Sequence, residues 1–143
     1  MIIKFEGLDE IIKEVENIAS ENEIEKVNAN ILKKCGVKAQ NTVKTKMPRS
    51  GDPMLSGRKG SRTGRHSADN VPLSGVKKKN GYQSIIVGWD KSDISPYFYV
   101  KFTEWGTSRM KPLAYMEKTK QELEDYFSEV AKSEYESLIT KLK

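Results

Sequence analysis

The chain has 143 residues, enough for one ordinary domain and too few for two. Hydrophobic residues make up 36% and charged residues 31%, which is polar for a compact domain but excludes a chain that is disordered throughout. The formal charge of +5 is concentrated: residues 49–79 carry eight basic side chains against two acidic ones, a net +6, so everything else nets −1.

A single cysteine, Cys35, excludes an internal disulfide and fits a reducing compartment. The opening Met-Ile-Ile-Lys-Phe-Glu-Gly lacks the basic and long apolar regions of a signal peptide. No apolar run approaches the ~18 residues of a membrane span, so no membrane partner is expected. The expectation is a soluble protein, intracellular when made.

In chain order, Ile2 to Phe5 is a short β-prone run ended by Gly7 and predicts an edge strand. Asp9 reads as a helix N-cap, with Leu8, Ile11, Ile12, Val15 and Ile18 on one face. Ser20 to Asn22 is a break, after which Asn22 and Glu25 match the capping-box spacing of a longer second helix. Its apolar stripe is Ile24, Val27, Ile31, Leu32, Cys35, Ala39 and Val43, and Met47-Pro48 ends it. Gly36 weakens this helix by about 1 kcal/mol relative to alanine without ending it.

Residues 48–75 contain Pro48, Gly51, Pro53, Gly57, Gly60, Gly64, Pro72 and Gly75 and no apolar period, which predicts a long flexible arm within the single domain 1–143. Order is expected to return with a hairpin: Val76 to Lys79, an Asn80-Gly81 turn, and Tyr82 to Trp89 as a central strand. Tyr97 to Trp105 fits strand alternation (Phe98, Val100, Phe102) and helical spacing (Phe98, Phe102, Trp105) equally well, and its aromatics are expected in the core. Gly106 to Arg109 is a turn. Pro112 suits the first residue of a last helix carrying Leu113, Met116, Leu123, Phe127, Val130, Leu138 and Leu142. The plan is α+β: a small antiparallel sheet packed by two N-terminal helices and a long C-terminal one.

The inventory for chemistry is thin. Cys35 falls on an apolar helical stripe, where a thiol is a small core residue. His66, Ser67 and Asp69 are near-adjacent on the arm, and such neighbours do not make a preorganised triad. No metal-ligand spacing, phosphate-binding loop or dinucleotide fingerprint occurs. The expected role is therefore non-enzymatic, with no catalytic, cofactor or metal residues.

The basic residues Arg49, Arg58, Lys59, Arg62, Arg65, Lys77, Lys78 and Lys79 are the first candidate site. They fit contact with duplex DNA phosphates, which is sequence-independent and salt-sensitive. The preferred reading is an arm that orders against an acidic face of a neighbouring subunit, with which DNA contact can coexist. The segment has no aromatic residues to stack on bases, which argues against single-strand recognition.

The second candidate is the corner Glu104-Trp105-Gly106-Thr107, with Arg109 completing a charge pair around the turn. Gly106 is placed to allow positive φ and Thr107 to cap the turn.

Tyr99 to Thr107, followed by Pro112-Leu113-Ala114, resembles the Tyr-Ala-x-x-Val-Glu-Phe-Gly-Thr and Pro-Phe-Leu signature of head–tail joining or tail-completion (neck) proteins of lambdoid-type phages. A lambda minor tail protein is a more distant relative. The element order agrees along nearly the whole chain. His66 to Pro72 and Gly88-Trp89 look like members from defective prophages and contractile-tail particles. Val100, Thr103, Trp105, Leu113 and Ala114 depart from the usual residues of the signature.

The resemblance implies a structural component of a phage or prophage particle, assembled in the host cytoplasm and carried in the virion neck or tail. It implies a closed ring of copies, expected to be hexameric. The ring would sit between a connector or stopper and the tail-terminator or tube proteins, with double-stranded DNA passing through the lumen. The alternatives are a tail terminator at the end of the tube and a sequence-nonspecific DNA-binding protein.

Overall fold

A computed structural model describes residues 8–55, 62–90 and 93–143. The expected strand at Ile2 to Phe5 and the basic pair Arg58 and Lys59 lie outside the described residues. The architecture is α+β: helices α1 (Asp9–Ile18), α2 (Glu21–Lys46), α3 (Val100–Trp105) and α4 (Tyr115–Leu142), with one antiparallel pair, β1 (Lys77–Lys79) and β2 (Tyr82–Ser84).

The core is a face of α2 laid against a face of α4, with α1 alongside. On α2 the buried stripe is Ile31, Cys35, Ala39 and Val43; on α4 it is Tyr115, Thr119, Leu123, Phe127, Ala131 and Tyr135. Both advance four residues at a time, the row that lies along one side of an α-helix. The helices run antiparallel. Asn28 meets Tyr135, Lys38 lies over the Tyr126 ring, and Lys46 pairs with Glu122. Val15 of α1 is buried against the same core.

Helix starts differ from the expected ones. Leu8 occupies the N-cap position of α1 and offers no side-chain cap, while Asp9 is the first helical residue and complements the dipole. For α2 the capping box is Ser20 and Glu23, not Asn22 and Glu25: the Glu23 N–H donates to Ser20 Oγ at 3.3 Å, and the Ser20 N–H to Glu23 Oε2 at 2.8 Å. Serine two residues earlier has the same spacing to a glutamate and begins the helix sooner. Met47 ends it as expected.

Residues 66–79 run back along α2 as a strap. Asp69 meets Lys44, the Val71 carbonyl accepts from Gln40 Nε2 at 2.7 Å, Leu73 faces Gly36, and Lys78 meets Glu25. This differs from an arm that is flexible from 48 to 75, because Ser67, Ala68 and Val71 are buried. The apolar pair Ala68 and Val71 is brought to one side by a single 3₁₀ turn over Ser67–Asn70, too short to leave a period in the sequence. Gly36 makes the strap's approach possible. A Cβ there would stand 2.9 Å from Ile85 Cδ1 and 3.0 Å from Leu73 Cδ1.

The hairpin forms with Asn80 and Gly81 both at positive φ, 52° and 80°, the backbone of a type I′ turn. Its strands are shorter than expected. Past Ser84 the ladder is interrupted where the Ile86 N–H donates to the Ser74 hydroxyl at 2.8 Å, and pairing resumes only as a bridge between Leu73 and Val87. Tyr82–Trp89 is therefore not a central strand, and the described sheet has two strands.

Candidate functional site

The aromatic segment folds as helix α3, and it ends at Gly106 with φ 75°. The glycine is required twice over, by its left-handed backbone and by space. A Cβ would lie 2.8 Å from both the Met110 carbonyl and the Pro112 nitrogen. Thr107 then closes the turn, its hydroxyl accepting from the Arg109 and Met110 N–H groups at 3.2 and 3.1 Å.

The chain returns beside α3. The Leu113 and Ala114 N–H groups donate to the Thr103 and Glu104 carbonyls at 2.8 and 3.2 Å. That pairing keeps Leu113 and Ala114 out of the helix, so α4 begins at Tyr115 instead of at Pro112, with Ala114 left-handed at φ 50°.

Glu104 is buried, and its Oε2 accepts the Met116 N–H in the first turn of α4 at 3.0 Å. A carboxylate there satisfies an otherwise unpaired donor and complements the positive end of the helix. No ion pair joins Glu104 to Arg109 among the described residues, so the expected charge pair is replaced by a cap. Tyr115 completes the joint: its hydroxyl donates to the Val100 carbonyl at 2.9 Å and lies 2.9 Å from Thr103 Oγ1. Burial pushes this phenol up to about 12. Outside the joint, Phe102 and Trp105 are each 42% exposed, so this part of the aromatic block is surface and not core.

The basic residues divide into two stations. At the C-terminal end of α2, Arg49 grips Asp69 through two bonds, 3.1 and 2.6 Å, with Lys44 at 3.5 Å. The hydrogen bond from Arg49, and then its charge and that of Lys44, lower the Asp69 carboxyl to about 2. At the other end Lys78 pairs with Glu25, which raises the lysine. The two stations are separated by some twenty residues of α2, about 30 Å of helix. Lys77 and Lys79 are exposed, as are Arg62 and Arg65.

His66 is half-buried in a cleft of about 260 Å³ with Arg49, Ser50, Ser67, Tyr99 and Thr103. The Asp69 carboxylate is turned to Arg49, and no Ser-His-Asp constellation is assembled. Cys35 is fully buried, and burial pushes its thiol up to about 11. Among the described residues no group of three or more His, Cys, Asp or Glu side chains converges to hold a metal ion, and no helix is long and apolar enough to cross a membrane.

Sequence reasoning missed Asp69 as the partner of Arg49, and Tyr115 and Met116 as partners of the corner. The i+3 pair Ala68 and Val71 was the signal for the first; the second depended on a return of the chain that no local pattern encodes.

No family model, curated protein or solved structure matches the chain.

Proposed function

We propose that the chain is a structural, non-catalytic component of a phage or prophage particle: a head–tail joining or tail-completion protein that assembles as a ring between connector and tail. The observation that carries this reading is the corner. Glu104, Gly106 and Thr107, which carry the resemblance to neck proteins, each perform a structural task in one joint between α3 and α4. The same joint turns Phe102, Trp105, Met110 and Leu113 outward, between 38% and 42% exposed. Four exposed apolar side chains within twelve residues of chain support a protein-contact surface there.

The test is particle assembly without the protein, viewed by negative stain. Separate full heads and finished tails are the expected result. Normally joined particles would refute the neck assignment, and tails of uncontrolled length would favour the terminator position instead.

A second reading, sequence-nonspecific DNA binding, is favoured by the exposed lysines of β1. Its signature is steep loss of affinity between low and physiological salt. Absence of duplex binding at low salt would end it.

A further inference from the structure

The hairpin has two unlike faces. Directly opposed residues of an antiparallel pair share a face, and the register pairs Lys77 with Ser84, Lys78 with Gln83 and Lys79 with Tyr82. Lys78 and Gln83 both turn to α2, where they hold the Glu25 carboxylate and carbonyl. The opposite face therefore presents Lys77, Lys79, Tyr82 and Ser84. All four are exposed, Tyr82 at 77%. Neither Lys77 nor Lys79 makes an ion pair among the described residues. Two free ammonium groups beside a bare aromatic ring form a small surface with a definite complement: carboxylates around an apolar floor.

The same molecule carries that complement elsewhere. An open groove of about 620 Å³ lies between α1 and the C-terminal half of α4. Its floor is Leu8, Ile11 and Ile139; Glu10, Glu14 and Glu136 stand on it, with Lys132 the one cation in the lining. Glu14 is engaged by Lys143 at 2.7 Å, whereas Glu10 and Glu136 have no ion-pair partner among the described residues. The setting is acidic as well: α1 holds four carboxylates against one lysine.

We infer that copies of this chain associate head to tail, the outer face of the β1–β2 hairpin of one copy docking in the α1–α4 groove of the next. Lys77 and Lys79 face Glu10 and Glu136, and Tyr82 covers the apolar floor. The two surfaces share no residue, so the contact is heterologous and propagates into rings or chains. This inference deepens the ring reading above and rests on it for its biological setting. It assigns to the hairpin a protein partner in place of DNA, because the matching groove is present on the chain itself.

The experiment uses two charge-reversed full-length variants, K77E/K79E and E10K/E136K, with self-association read by sedimentation velocity at low salt. All four positions are exposed, and circular dichroism confirms folding of each. Each variant alone opposes like charges, and its association constant is expected to fall about tenfold or more, since two exposed pairs are lost and repulsion replaces them. An equimolar mixture restores both contacts, negative hairpin to positive groove and the reverse, and is expected to associate like wild type. Wild-type association that K77E/K79E leaves unchanged would overturn the docking while sparing the ring. A wild-type chain that stays monomeric at every concentration would overturn both. Loss in each variant without recovery on mixing, accompanied by loss of duplex-DNA binding in K77E/K79E, would overturn the docking in favour of a nucleic-acid role.

Discussion

The carboxylate of Glu104 and the backbone N–H of Met116 meet at 3.0 Å, twelve residues apart in the chain, and so tie the end of α3 to the start of α4. A side chain from another element supplies the cap that Ala114, left-handed and apolar, does not. Glu104→Ala leaves that part-buried N–H without its cap and is expected to cost about 1–2 kcal/mol. Glu104→Gln retains an oxygen acceptor and should cost less. Urea unfolding midpoints of the two variants measure the difference. Equal losses would mean that the cap contributes nothing specific.

Gly106→Ala is expected to destabilise by about 1–3 kcal/mol, because the left-handed backbone disfavours a Cβ and the nearest atoms are backbone, which does not yield easily. Gly36 presents a contrasting case. There the nearest atoms are the ends of flexible side chains, and alanine regains about 1 kcal/mol of helix propensity, so Gly36→Ala should be near neutral. Gly36→Leu should cost about 1–3 kcal/mol by driving the strap off α2. Thermal melts of the three variants test this order.

Asp69 gives the fold an acid-sensitive joint. Its carboxyl is lowered from the ordinary 3.8 to about 2, chiefly by the Arg49 hydrogen bond. A folded value below the unfolded one stabilises above the unfolded value and is lost as pH falls, here between about 4 and 2. The strap's hold on the end of α2 should weaken across that interval. Asp69→Asn should flatten the corresponding part of the stability–pH curve relative to wild type, measured by denaturant titration at successive pH values. A wild-type curve that matches the variant there would exclude the contribution.

The segment 48–75 should prove to be two things. Ser50 and His66 line one cleft, so the chain between them leaves and returns at neighbouring points. Replacing 51–64 by a short Gly-Ser linker should shift the melting temperature by only a few degrees, since loop length enters stability weakly. Ala68→Asp places an unpaired charge in the core beside Val71 and should cost several kcal/mol. If both changes were equally harmless, the strap would not be part of the core.

The long-period features were legible. The stripe Ile31, Cys35, Ala39 and Val43, the Asn80-Gly81 turn and the end of α2 at Met47-Pro48 are local patterns, and local geometry decides them. Tyr97 to Trp105 was ambiguous because nine residues satisfy both periods; the Tyr115 hydroxyl and the returning Leu113 and Ala114 favour the helix. The placement of Ala68 and Val71 depends on contacts distant in the chain, the Val71 carbonyl on Gln40 and Asp69 on Arg49 and Lys44, which no local pattern encodes. The hairpin's charge was visible, but the distinction of Lys78 from Lys77 and Lys79 required the register and a glutamate more than fifty residues away.

The antiparallel pairing of α2 with α4 also has a consequence for how the chain is made. Tyr135 bonds Asn28 across 107 residues, and α1 and α2 share their apolar faces with a helix that begins only at Tyr115. During synthesis, residues 9–46 emerge with Val15, Ile31 and Val43 exposed and no α4 to cover them. The corner, whose bonds span fifteen residues or fewer, can form as soon as it leaves the ribosome. The core cannot close until α4 follows, so a ribosome stalled before residue 115 would hold a helical but open intermediate, the form most exposed to chaperones and proteases.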